Sequence, residues 1–148
     1  MSFQRPAGYA GDLSIEDAYA LLAENEKAVL VDVRTQAEWT YVGVPDLSQL
    51  GKAPIFLEWQ VYPSMQVVAD FTPRLVAALN ARGADRSAQV LFICRSGVRS
   101  RGAAIALTGA GWPRCYNITE GFEGGLDATR RRGALGGWRA RGLPWTQS

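Results

Sequence analysis

Histidine is absent from the 148-residue chain, and cysteine occurs only twice. Without histidine there is no serine triad with a histidine base, no Cys–His dyad and no histidine-containing metal site. Cys94 and Cys115 form no CxxC pair, which argues against a structural zinc site and against a disulfide scaffold. No apolar run approaches the length of a membrane span. The opening stretch MSFQRPAGYAGDLS has no apolar core of a signal peptide, so the expected location is cytoplasmic, with no membrane partner. Internal repeats and low-complexity tracts are also missing. Chemistry in this chain must therefore run on a thiol, carboxylates, arginines or backbone groups.

What is present is an ordinary globular composition, 47% hydrophobic and 20% charged. The length fits one domain over residues 1–148, with a core at about 9–145. Net charge is only +2 but unevenly spread: seven basic and eleven acidic residues run to Gln89, then nine arginines and three acids follow. The positive C-terminal half suits an anionic ligand or an acidic partner. Arg130, Arg131, Arg132, Arg139 and Arg141 read equally well as solvated surface. No basic–aromatic alternation marks a nucleic-acid site, so nucleic acid is not an expected partner.

Strand-like and helix-like segments alternate, the pattern of an α/β domain with mostly parallel strands and helices on both faces. In LSIEDAYALLAEN, Ser14 precedes an amphipathic helix with Ile15, Ala18, Leu21 and Leu22 on one face. AVLVDV reads as a buried strand, and TQAEW as a short helix with Thr35 and Glu38 at its start. APIFLEW, QVLFIC and CYNI read as further strands. VVADFTPRLVAALNARG reads as a helix stopped at Gly83, and SRGAAIALTGAG as a small-residue helix.

The informative stretch is QVLFICRSGVRSRGAAIAL. Cys94 ends an apolar strand, and in parallel sheets ligands gather beyond the carboxyl ends of strands. The loop feeds a helix N-terminus, whose free N–H groups and dipole favour an anion, here the reactive thiolate. Gly97 can take positive φ and turn successive N–H groups inward. Arg95 and Arg99 add fixed positive charge. The plain alternative, a buried cysteine filling space, does not need two arginines and a glycine beside it. Cys115, inside RCYNI, has no such neighbours and reads as core.

With these residues in view, the chain resembles the rhodanese sulfurtransferases over almost its whole length. LVDVRTQAEW is similar to their Asp-x-Arg segment followed by an acidic and an aromatic residue. VLFICRSGVRSRGAA resembles their strand, cysteine loop and helix. GWPRCYNITEGF and GGWRARGLPW resemble the next strand and the closing signature. The resemblance implies a three-layer fold around a mostly parallel five-stranded sheet. It implies a Cys94 nucleophile that takes sulfur from thiosulfate, mercaptopyruvate or a protein persulfide. A thiol or cyanide acceptor then removes the sulfur from the resulting persulfide. It implies a binding loop of Arg95, Ser96, Gly97, Val98, Arg99 and Ser100, and no metal or organic cofactor. Asp32 and Arg34 would brace the loop, with Glu38 paired to Arg34. An acidic sulfur-relay protein would suit the positive half.

Two stretches depart from the family pattern. YVGVPDLSQLGKAP carries no Gly-His-Ile turn. Residues 123–135, EGGLDATRRRGAL, form an insertion expected to be a lid, a partner surface or a mobile loop. Other functions stay open. One is a non-catalytic rhodanese-like binding or regulatory module. Another is a cysteine-dependent phosphatase or arsenate reductase. A phosphatase needs arginine six positions after the cysteine, where this chain has Ser100, with Arg99 one position earlier.

Overall fold

Side-chain oxygens start the first two helices where their spacing predicts. The computed structural model describes residues 8–147. Residues 1–7, part of the stretch read above for a leader, and residue 148 lie outside the described residues. Ser14 caps α1 (Ile15–Glu24) by accepting the Asp17 N–H at 3.1 Å. Thr35 and Glu38 form a reciprocal capping box on α2 (Gln36–Tyr41). Both devices satisfy N–H groups that a helix start leaves without partners. α1 buries Ile15, Ala18 and Leu22, with Leu21 partly covered beside them.

The strands are β1 (Gly11–Leu13), β2 (Val29–Asp32), β3 (Val44–Pro45), β4 (Ile55–Phe56), β5 (Gln60–Val61), β6 (Gln66–Val67), β7 (Val90–Ile93), β8 (Cys115–Ile118) and β9 (Trp145–Thr146). The expected five-stranded sheet is present and wholly parallel, in the order β1-β8-β7-β2-β4. β3 and β9 pair antiparallel, as do β5 and β6. The remaining helices are α3 (Phe71–Ala81), α4 (Val98–Gly109) and the short α5 (Gly137–Ala140).

Successive residues of a strand face opposite sides, so a sheet covered on both sides needs continuous apolar runs. Val31, Val90 and Phe92 pack with Leu75 and Leu79 of α3 and Ala103, Ala104 and Leu107 of α4. Leu30, Leu91 and Ile93 pack on the other side with α1 and Trp138. Helices therefore flank both faces. Among the described residues no helix is long and apolar enough to cross a membrane.

Three boundaries differ from the sequence reading. The APIFLEW strand shortens to β4, although Leu57 and Trp59 N–H groups still bond to the Asp32 and Val33 carbonyls. α3 begins only at Phe71, because Val67 lies in β6 and the Val68 N–H bonds to the Trp59 carbonyl. α4 begins at Val98, one or two residues ahead of the predicted Arg99 or Ser100, because Gly97 supplies the turn into it. The segment 123–135 is organised around Asp127, whose carboxylate accepts the N–H groups of Thr129 and Arg131. The Gly133 N–H closes it back onto the Glu123 carbonyl.

Phe92 is fully buried at the middle of the central strand. Phe92→Ala is expected to cost about 3–5 kcal/mol of folding free energy. Urea unfolding checks this through a lower midpoint with an unchanged slope.

Candidate active site

Cys94 follows β7 directly, at the carboxyl edge of the sheet. Gly97 adopts φ +105° and donates its N–H to Cys94 Sγ at 3.1 Å. A side chain at Gly97 would collide with the Thr119 carbonyl, so the loop has room only for glycine. α4 starts one residue later, and its dipole adds to the field that favours negative charge on sulfur. Cys94 is only 1% exposed, yet it lines a pocket of about 650 Å³ together with Arg95, Ser96, Val98 and Arg99.

Behind the sulfur lies a polar chain. Ser100 Oγ sits 3.2 Å from Cys94 Sγ and donates to Asn117 Oδ1 at 2.6 Å. Asn117 Nδ2 donates to the Gly97 carbonyl at 3.1 Å. Asn117 therefore ties the loop and Ser100 to β8. Sequence reasoning missed it. The available signal was a polar residue inside the apolar strand CYNI, since a buried amide must find partners.

The sequence-predicted supports fall into two separate pairs. Arg34 and Asp32 are both fully buried and joined through Arg34 Nε and Nη2 at 2.7–3.2 Å. Arg34 Nη2 also donates to the Gly43 carbonyl at 2.8 Å, and its guanidinium lies 4.2 Å from the Phe122 ring centroid. The Phe122 N–H donates to the Cys94 carbonyl at 2.8 Å. Asp32 and Arg34 thus brace the cysteine loop at one remove, through Phe122.

The expected Glu38–Arg34 pair does not form. Arg34 turns inward to Asp32, and Glu38 faces the pocket, where Arg99 donates to both its oxygens at 2.7 and 2.9 Å. Burial pushes the Glu38 carboxyl up, but the Arg99 hydrogen bonds and charge outweigh it and hold the carboxyl below its ordinary range. Arg99 lines the pocket beside Cys94 while neutralised by Glu38. Arg95 is exposed there, with no carboxylate partner among the described residues.

Cys115 is fully buried and donates to the Trp112 carbonyl at 3.2 Å. Burial pushes its thiol up to about 11, which makes it inert as a nucleophile at neutral pH. Both cysteines are free thiols. Among the described residues, no three of His, Cys, Asp or Glu stand together to hold a metal ion. The arginine-rich tail is partly structural. Arg139 donates to the Val42 carbonyl and stacks on Trp145, Arg141 pairs with Glu16 and Glu120, and Arg132 donates to the Gly124 carbonyl.

Comparison with known proteins places these features in a family. The sequence profile described as the STR4 middle domain matches residues 10–148. Rv0390 from M. tuberculosis, known from a crystal structure, is 47% identical, with 95% of this chain and 99% of that one covered and a TM-score of 0.82. An uncharacterized Rickettsia conorii protein is 40% identical over 128 residues, covering 86% of this chain and 90% of its own length. A rhodanese-like domain protein from Staphylococcus aureus shares 16% identity, with 93% of this chain and 98% of that one covered and a TM-score of 0.54. That last likeness shows the fold alone, and the fold is rhodanese-like.

Folding lowers the proton affinity of Glu38, so the Glu38–Arg99 pair stabilises the fold above the unfolded carboxylate pKa of about 4.3. The contribution is lost as pH falls through the lower folded value. Glu38→Gln is expected to cost about 1–3 kcal/mol at neutral pH. The gap to the unsubstituted protein should close in acid, as read from urea melts over a pH series.

Proposed function

The chain belongs to the STR4 middle domain family, and from that premise we propose that it is a sulfurtransferase working through a Cys94 persulfide. The observation that carries this reading is Cys94 lining a pocket, with its Sγ accepting the Gly97 N–H at the head of α4. The Cys94 thiolate attacks the outer sulfur of a donor such as thiosulfate, mercaptopyruvate or a protein persulfide. The bond from that sulfur to the rest of the donor breaks, and the donor remnant leaves with the electron pair. An acceptor thiol, or cyanide in an assay, then attacks the outer sulfur and returns Cys94 to thiolate. Two half-reactions of this kind give ping-pong kinetics.

The chain's own groups divide the work. The Gly97 N–H and the N-terminus of α4 stabilise negative charge on Cys94 and on its persulfide, as an oxyanion hole does for oxygen. Arg95, exposed and without a carboxylate partner among the described residues, draws the anionic donor into the pocket, while Arg99, paired with Glu38, lines it. Ser100, buried between Cys94 and Asn117, holds the inner sulfur in place. The same burial supports sulfur over phosphorus chemistry, because the sixth position after Cys94 offers a serine turned inward instead of an arginine facing the pocket. A cytoplasmic setting, which keeps thiols reduced, and an acidic relay partner fit the two free cysteines and the positive C-terminal half.

Purified protein incubated with thiosulfate or mercaptopyruvate and weighed intact should gain one sulfur atom. Cys94→Ser should abolish the gain, and Cys115→Ser should keep it. Gly97→Ala should lower turnover by about 100-fold or more, since it displaces the donor N–H. Folded protein that gains no sulfur from any donor is instead a binding module, and turnover of an aryl phosphate marks a phosphatase.

A further inference from the structure

The Cys94 pocket is larger and less charged than a small inorganic anion requires. Its volume of about 650 Å³ falls in the range of cavities that enclose organic ligands. Apolar side chains share its lining with the polar ones. Ala37 and Val42 come from α2 and its end, Tyr62 and Met65 from the turn between β5 and β6, and Val98 from the start of α4. Tyr62 is 73% exposed and Val98 79%. Apolar side chains scattered singly over a surface carry no meaning, but here they surround one concave opening above a nucleophile. The hairpin that presents Tyr62 and Met65 is anchored at its base. The Val68 N–H bonds to the Trp59 carbonyl, and Trp59 packs edge-on against Phe71 at 5.0 Å.

Charge narrows the choice further. Glu38 cancels Arg99 across two hydrogen bonds, and Asp32 cancels Arg34 behind the loop. Arg95 is left as the one net positive side chain among the described residues that line the pocket. One positive charge complements one negative charge, whereas thiosulfate carries two. We infer that the pocket selects a singly charged organic sulfane-sulfur donor whose apolar body lies against Tyr62, Met65 and Val98. The inference rests on the sulfurtransferase reading and names its substrate class. With a thiosulfonate R–SO2–S⁻, the Cys94 thiolate attacks the outer sulfur and a new S–S bond forms. The bond between the two donor sulfurs breaks, and its electron pair leaves on the sulfinate R–SO2⁻. Charge balances, no proton moves and no oxidant or reductant is consumed.

The test compares benzenethiosulfonate, methanethiosulfonate and thiosulfate as donors to cyanide. The first two carry the same charge and differ only in the apolar body. The kcat/KM for benzenethiosulfonate is expected to exceed that for methanethiosulfonate by about tenfold or more, a gain typical of an apolar group entering an apolar pocket. Thiosulfate should be the poorest donor. Tyr62→Ser combined with Met65→Ser should shrink the phenyl advantage to about twofold, which separates the pocket from differences in intrinsic reactivity. Calorimetric binding of the two sulfinates to the Cys94→Ser protein should show the same preference without any transfer step. Equal donors and equal sulfinate affinities would overturn the inference while leaving the sulfurtransferase intact. So would thiosulfate as the best donor, or a persulfidated protein loading Cys94 faster than benzenethiosulfonate with or without Tyr62 and Met65. If no donor loads Cys94, the sulfurtransferase reading falls, and sulfinate binding alone decides whether the pocket takes an apolar body.

Discussion

The buried Asp32–Arg34 pair is the constraint on which the cysteine loop depends. Both side chains are withdrawn from water, and that desolvation is repaid only by dense partnering. Arg34 obtains most of it from the Asp32 carboxylate, the Gly43 carbonyl and the face of Phe122, while its buried Nη1 has no hydrogen-bond partner among the described residues. It thereby fastens the end of β2 to the turn after α2 and to the segment that follows β8. Phe122 passes the constraint on, because its N–H holds the Cys94 carbonyl. Removing one member of such a pair strands the other charge in the interior, so the arrangement tolerates no half-measure.

On this base the site divides its charges by depth. The innermost pair fixes the backbone, the Glu38–Arg99 pair lines the pocket, and Arg95 stays open to the solvent. Cys94 itself receives backbone and helix-terminus support, and the chain has no imidazole to offer. Gly97 makes this possible through a conformation and a close approach that no other residue can adopt. The segment 123–135 belongs to the same system. The Glu123 and Gly124 N–H groups both bond to the Arg95 carbonyl, so its base is seated on the cysteine loop.

Local devices were the legible part. Ser14, Thr35 and Glu38 act within one helical turn, and the apolar runs of β2 and β7 declare burial on both sides by themselves. The strand–Cys94–Gly97–helix unit is likewise contiguous in the chain, so its placement could be read without coordinates. The α3 start was misread because Val67 and Val68, apolar at helical spacing, serve a hairpin whose other half lies before them. Glu38 was assigned to Arg34 because the two stand four positions apart. Its true partner lies 61 positions away.

By itself, then, the amino-acid sequence determined the main helices and central strands, the two-sided sheet and the placing of one thiol at a helix start. It did so because caps, periodicity and glycine geometry act over a few residues. Tertiary structure alone decided the partners of Glu38 and Arg34, the role of Asn117 and the apolar wall of Tyr62 and Met65 above Cys94. These depend on which segments the fold brings together. A charge or an amide pairs with whatever neighbour lies within about 3 Å, however distant that neighbour is in the chain.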